Sequence, residues 1–185
     1  MAKPIHIVLG VTGSIAAYKA AELVRLMKGK KWDVSVIMTR AATEFVGELT
    51  FRTLSQNPVS VDMFEETEAW RPGHISLADR ASALVIAPCT ANVIAKLAHG
   101  LADDMLTATA LACLAPLVVA PAMNGKMWDH AATQQNVATL RGRGATILDV
   151  EAGELACGYG GRGRMAAPET ILAAVEQALA VRAAT

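Results

Sequence analysis

Aromatic residues make up only 4% of this 185-residue chain, and its three cysteines, Cys89, Cys113 and Cys157, differ in context. An odd, scattered set excludes a disulfide framework and a Cys-x-x-Cys metal site. His6, His99 and His130 show no metal-ligand spacing either, so no metal is expected. Charge of one sign is also missing: 17 basic residues face 17 acidic ones, with no basic cluster interleaved with aromatics, which excludes nucleic acid as the expected partner. The most apolar stretch, residues 106–123, is interrupted by Thr107, Thr109, Pro116 and Pro121, so no membrane span is expected. Residues 5–9 are too short for a signal-peptide core and no small-residue cleavage pattern follows, so a reducing cytoplasm is expected. Repeats, low-complexity tracts and Pro/Ser-rich linkers are absent as well. Residues 1–185 are therefore expected to form one domain, large enough to bury roughly 70% of the unfolded surface.

What is present is 53% hydrophobic residues in an alternating pattern. Short, nearly continuous apolar runs rich in β-branched residues, at 5–9, 34–38, 83–87, 117–120 and 146–150, read as strands. Strands apolar on both faces belong in a sheet covered on both sides. The fold class expected is therefore α/β: a doubly wound, Rossmann- or flavodoxin-like parallel sheet with helices on each face. Helices are predicted at 14–28, with Ser14 as cap, and at 91–98, 104–113 and 131–141, with a last one starting after Pro168.

The first strand runs into Gly10-Val11-Thr12-Gly13-Ser14, a turn feeding a helix whose unbonded N–H groups suit a phosphate. Two glycines fall short of the dinucleotide fingerprint, and a purely steric need for glycine in a tight turn stays open. The second strand ends in Thr39-Arg40, where a dinucleotide fold usually carries an acidic residue for the ribose. NAD is thereby disfavoured and a mononucleotide such as FMN suits better. A second turn, Ala87-Pro88-Cys89-Thr90-Ala91-Asn92, adds hydroxyl and amide groups, and two such turns make a crevice.

Three further segments carry chemistry. In Leu155-Ala156-Cys157-Gly158-Tyr159-Gly160-Gly161-Arg162-Gly163-Arg164-Met165, four glycines and two arginines surround one thiol. Such a segment allows close backbone approach to a ligand and supplies donors for carboxylate or phosphate; an incidental surface cysteine is the plainer alternative. His74 stands at a loop or helix start in Arg71-Pro72-Gly73-His74-Ile75, able to act as a base or cation near neutral pH, or to be a plain surface histidine. Asn124 follows the fourth strand in Pro121-Ala122-Met123-Asn124-Gly125-Lys126-Met127-Trp128, at the strand end where doubly wound sheets bind ligands. Cys89 and Cys113 read as inert core thiols, and Trp128 as a packing or subunit-contact residue.

Gly-His-Ile at His74, Pro-Ala-Met-Asn at Asn124 and Ala-Cys-Gly at Cys157, in this order, resemble the homo-oligomeric flavin-containing cysteine decarboxylases. Residues 10–19 and 102–107, Gly-Val-Thr-Gly-Ser-Ile-Ala-Ala-Tyr-Lys and Ala-Asp-Asp-Met-Leu-Thr, add to the likeness, which runs from about residue 5 to about residue 180. The resemblance implies FMN held by Gly13, Ser14, Thr39, Thr90, Ala91, Asn92, Asp103, Met105 and Thr107 at a subunit contact. It implies a homotrimer, or a dodecamer of four trimers, and in many bacteria a fused or separate phosphopantothenoylcysteine synthetase. Catalytic roles fall to His74, Asn124 and Cys157, and substrate contacts to Asn124, Met127, Arg162 and Arg164.

The activity so implied is decarboxylation of 4'-phosphopantothenoylcysteine to 4'-phosphopantetheine in coenzyme A biosynthesis. Oxidation at the thiol carbon creates a C=S group that accepts the electron pair left by CO2, and the resulting enethiol is then reduced and protonated. His74 serves the first half, and Cys157 donates the proton in the second. Peptidyl-cysteine decarboxylases of lantibiotic maturation stop at the enethiol and do not need that thiol. Flavin prenyltransferases lack the His74, Asn124 and Cys157 set, and a non-catalytic flavin-binding regulatory subunit remains the alternative outside enzymes. Tyr159 stands where some relatives carry aspartate, so no role of that aspartate transfers.

Overall fold

The protein is described here by a computed structural model covering residues 4–64, 72–154 and 160–184; Cys157 and Tyr159 lie outside the described residues. Six parallel strands form one sheet: β1 (His6–Val11), β2 (Asp33–Met38), β3 (Val59–Ser60), β4 (Ala83–Cys89), β5 (Leu117–Pro121) and β6 (Thr146–Ile147). Their order is β3-β2-β1-β4-β5-β6, the doubly wound arrangement expected, with the order reversing between β1 and β4. Every residue of β1 and β4 is buried, as the unbroken apolar runs require of strands covered on both faces.

Alternate strand residues feed two cores. Ile7, Leu9, Val34, Val36, Val85 and Val118 face α1 (Ala17–Gly29), α3 (Glu48–Ser55) and α9 (Pro168–Ala184). Val8, Ile37, Leu84, Ile86 and Val119 face α4 (Gly73–Arg80), α5 (Ala91–His99), α6 (Met105–Ala112) and α8 (Ala131–Gly142). Two single turns, α2 (Arg40–Thr43) and α7 (Gly125–Trp128), follow β2 and β5. Trp128 is 3% exposed and packs in the second core, which settles it as a packing residue within this chain.

Several elements depart from expectation, β3, α2, α3 and α7 among them. The first helix starts at Ala17, not Ser14: Ser14 N–H donates to the Thr12 carbonyl and Ala17 N–H to the Ser14 carbonyl, so a tight turn occupies the intervening residues. Ser14 does not cap α1; its hydroxyl accepts from Ala16 N–H at 3.4 Å. The strand expected at 146–150 ends at Ile147, beyond which the chain crosses to a separate antiparallel hairpin, β7 (Glu151–Glu154) and β8 (Gly160–Arg164). No helix among the described residues is long and apolar enough to cross a membrane.

Candidate active site

The carboxyl edge of the sheet gathers most of the expected residues. Gly13 and Ser14 follow β1, Thr39 follows β2, Thr90, Ala91 and Asn92 follow β4, and Asn124 follows β5. Thr12, 1% exposed, joins the two central turns: its hydroxyl donates to the Pro88 carbonyl at 2.8 Å and accepts from Thr90 N–H at 3.0 Å. Thr90 in turn caps α5, its Oγ1 accepting from Val93 N–H at 3.4 Å. The glycines of the first turn have steric grounds. A Cβ at Gly13 would lie 2.5 Å from the Ala41 Cβ, and one at Gly10 would lie 2.5 Å from Leu106 Cδ1.

Three side chains present buried polar atoms with no hydrogen-bond partner among the described residues: His6 Nε2 at the start of β1, and, among the expected site residues, Thr39 Oγ1 after β2 and His74 Nδ1. His74 sits in the first turn of α4, which packs beside α6. Buried polar atoms are ordinarily satisfied, so an orphaned pair among the expected site residues fits a polar guest such as a flavin mononucleotide.

Asn124 is the N-cap of α7, its Oδ1 accepting from Lys126 N–H at 2.9 Å. Met127, next along that turn, is 49% exposed. The hairpin lies against this turn, with Met123 N–H donating to the Gly163 carbonyl at 3.0 Å. Arg162 and Arg164 are both exposed on β8, and the Arg164 side chain passes beside Gly153 of the facing strand.

The segment 103–107 is a separate structure at the start of α6. Asp104 caps the helix, accepting from Thr107 N–H at 2.8 Å, while Thr107 Oγ1 donates back to Asp104 Oδ1 at 2.8 Å. Lys96 on α5 bridges Asp103 at 2.7 Å and Asp104 at 3.0 Å. The Asp103 contact leads in holding the Lys96 ammonium above its ordinary value. Burial pulls the Asp104 carboxyl the other way, yet the Thr107 and Lys96 contacts keep it below the usual carboxylate range. Met105 and Thr107 are buried, and Leu106 under Gly10 brings this helix start beneath the first turn. Neither Lys96 nor Thr12 was a sequence-based candidate. Thr12 lies inside the quoted glycine turn, whereas Lys96 carries no motif and is found only through the carboxylates seven and eight residues later.

Cys89 is fully buried and burial pushes its thiol well up, as an inert core cysteine requires; Cys113 is half-buried and is shifted the same way. A groove of about 810 Å³ opens at the opposite edge, where β4, β5 and β6 begin, lined by Leu97, Leu114 and Arg143 among others. Its lining is mainly apolar and, of the residues expected to hold the cofactor, includes only Thr107, so the carboxyl edge is the better candidate despite the groove's size.

The sequence profile of the Flavoprotein family matches residues 1–180. The chain belongs to the Flavoprotein family. This flavoprotein is 45% identical over 170 residues to the coenzyme A biosynthesis bifunctional protein CoaBC of Haemophilus influenzae, covering 92% of this chain and 42% of that protein. It thus spans about two-fifths of the length of that curated relative. Among solved structures, a PPC decarboxylase variant complexed with pantothenoylaminoethenethiol superposes with a TM-score of 0.85 at 31% identity, covering 95% of this chain and 98% of that one. The FMN-dependent cysteine decarboxylase SpaF superposes with a TM-score of 0.80 at 33% identity, covering 94% and 97%.

Proposed function

We propose that this flavoprotein binds FMN and decarboxylates 4'-phosphopantothenoylcysteine to 4'-phosphopantetheine, a step of coenzyme A biosynthesis. One observation supports the reading beyond family membership: Thr39 and His74, two of the residues we assign to the site, each present a buried polar atom without a partner among the described residues. The likeness to a PPC decarboxylase over 98% of that chain supports the substrate. Reading residues 1–185 as one flavoprotein domain is supported by the profile match over 1–180.

The chemistry FMN supplies when bound is reversible two-electron transfer, which makes the thiol-bearing carbon an electron sink for the decarboxylation. Gly13, Ser14, Thr39, Thr90, Ala91 and Asn92 are the residues we assign to hold it, with Asp103, Met105 and Thr107 contributing from the α6 start at a subunit contact. Asn124 engages the substrate carboxylate, and Met127 with Arg162 and Arg164 lines the substrate side. His74 takes up the thiol proton as the C=S bond forms. Cys157 returns a proton to carbon after CO2 has left, so the net change consumes one proton and exchanges C–CO2⁻ for C–H, with no electrons gained or lost overall. The peptidyl-cysteine reading, favoured by the similarity to SpaF, ends instead at the enethiol and two electrons short.

The assembly we infer is a homotrimer or a dodecamer of four trimers in the cytoplasm. Ile15, Tyr18, Phe45 and Leu49, 47–65% exposed around α1 and α2–α3, are apolar surface that a second copy would cover. A fused or separate phosphopantothenoylcysteine synthetase is the partner we infer, since the bifunctional relative is longer than this chain.

The deciding experiment incubates purified, flavin-loaded protein with phosphopantothenoylcysteine and follows CO2 and product mass. A saturated phosphopantetheine product supports the proposal, accumulation of enethiol supports the peptidyl-cysteine alternative, and no CO2 despite bound flavin rejects both.

A further inference from the structure

Of the ten large apolar side chains exposed among the described residues, four lie around α1 to α3 and four on the groove where β4, β5 and β6 begin. Single exposed apolar residues are ordinary, whereas contiguous sets mark contact surfaces. The first set sits at the β2–β3 end of the sheet, where Phe45 and Leu49 are each preceded by an exposed glutamate, Glu44 and Glu48. Arg40 there is held by Asp62 at 2.7 Å, and Arg52 does not balance both glutamates, so the α2–α3 segment is acidic. The groove lies in the other half of the sheet, with Leu101, Leu111, Val181 and the 97% exposed Leu114 on its walls. Its charged lining is Arg143 and Arg182, with no carboxylate among the described residues. Backbone carbonyls hold both guanidiniums: Arg143 donates to the Leu97 carbonyl at 3.5 Å and Arg182 to the Ser82 carbonyl at 2.8 Å.

We propose that the acidic α2–α3 segment of one copy of this chain seats in the basic, apolar groove of the next, and that three such contacts close a ring. The idea rests on the homotrimer reading above and names the two surfaces that make it. A two-fold contact joins a patch to itself, whereas unlike patches in opposite halves of one chain meet head to tail, and a head-to-tail contact that closes gives a cyclic assembly. Phe45 and Leu49 meet the leucine walls, and Glu44 and Glu48 meet Arg143 and Arg182, so apolar and charged groups are matched at once. The contact also unites the residues assigned to FMN: Thr39 directly precedes α2, and Thr107 lines the groove, so the set is drawn from two copies.

The test measures the mass of the flavin-loaded chain by sedimentation over a range of concentrations, and native particles of three or twelve copies are expected. Leu114→Asp puts a charge on the groove wall, and Glu44→Lys combined with Glu48→Lys reverses the segment. In each, the concentration at which trimers fall apart into single copies is expected to rise about tenfold or more. Adding Arg143→Glu to the lysine pair is expected to recover at least about threefold of that loss, a rescue that misfolding would not give. Arg182 is left in place because it holds the Ala81 and Ser82 carbonyls. A native chain that stays a single copy overturns the trimer reading and this contact with it. Trimers that hold together in every variant overturn the contact alone, and loss without rescue overturns the pairing of these two surfaces. Twelve-copy particles that break only as far as trimers in Leu114→Asp overturn it too, since the groove then joins one trimer to another.

Discussion

Thr12 and Thr90 meet across the point where the strand order reverses, the Thr90 N–H donating to the Thr12 hydroxyl at 3.0 Å. That single hydroxyl also donates to the Pro88 carbonyl, so the turns after β1 and β4 share one buried joint. Thr12→Val keeps the shape and removes both side-chain bonds; the Pro88 carbonyl still accepts from the residue-12 N–H at 3.3 Å, so it is the Thr90 N–H that loses its partner, at a cost of about 1–3 kcal/mol. Thermal unfolding should fall by several degrees and FMN should bind more weakly, both measurable on one preparation. Native melting with native flavin affinity would count against the joint.

Asp104 holds the start of α6 through the Thr107 N–H and hydroxyl and through Lys96. Asp104→Ala should destabilise the chain by about 0.5–2 kcal/mol in urea unfolding, the usual range for losing an N-cap. Asp104→Asn preserves the cap and drops the charge, so it should cost less. Equal losses for the two variants would show that the ion pair outweighs the cap.

Acid should weaken the fold in two stages. Burial lowers the His6 imidazole below its ordinary value even though its Nδ1 lies 2.7 Å from Asp33. Below about pH 6.5 the unfolded chain therefore binds a proton that the native chain refuses, and stability falls until the native His6 also titrates. Asp33 is opposed by burial, yet hydrogen bonds from Asn57 and His6 hold it low; Asp104 is likewise held low. Their contribution is present above the unfolded carboxylate range and disappears as pH drops through the native values. Urea midpoints taken from pH 8 to pH 4 should show both arms, and His6→Gln should erase the upper one and shrink the Asp33 share of the lower one, which His6 helps to hold.

His74 and Cys157 are expected to fail differently. His74→Asn should retain the yellow flavin and lose CO2 release about a hundredfold or more, within the range for removing a general base. Cys157→Ser should still evolve CO2 while enethiol accumulates, seen as a product two mass units lighter. Turnover that survives in the first variant, or saturated product at native yield in the second, removes that residue from its assigned step.

The five expected strands are all found because buried parallel strands announce themselves as unbroken apolar runs. The hairpin is invisible on the same criterion: Glu-Ala-Gly-Glu and Gly-Gly-Arg-Gly-Arg contain no β-branched or aromatic residue, and only docking on the Met123–Gly125 turn makes them strands. β3 is two residues long and gives no period to read. Thr39, Thr90 and Asn124 were expected at strand ends and follow β2, β4 and β5, positions that are predictable from the topology, whereas His74 stands in the first turn of α4. The orphaned atoms of Thr39 and His74, and the Thr12 joint, depend on what lies opposite in space, which no spacing along the chain encodes.

The hairpin shares no ladder with the six-stranded sheet among the described residues, so its strands carry none of the register constraint that β1 to β6 impose on one another. A substitution in residues 151–154 or 160–164 is therefore felt through the docking on the Met123–Gly125 turn and not through the strand pairing of the main sheet.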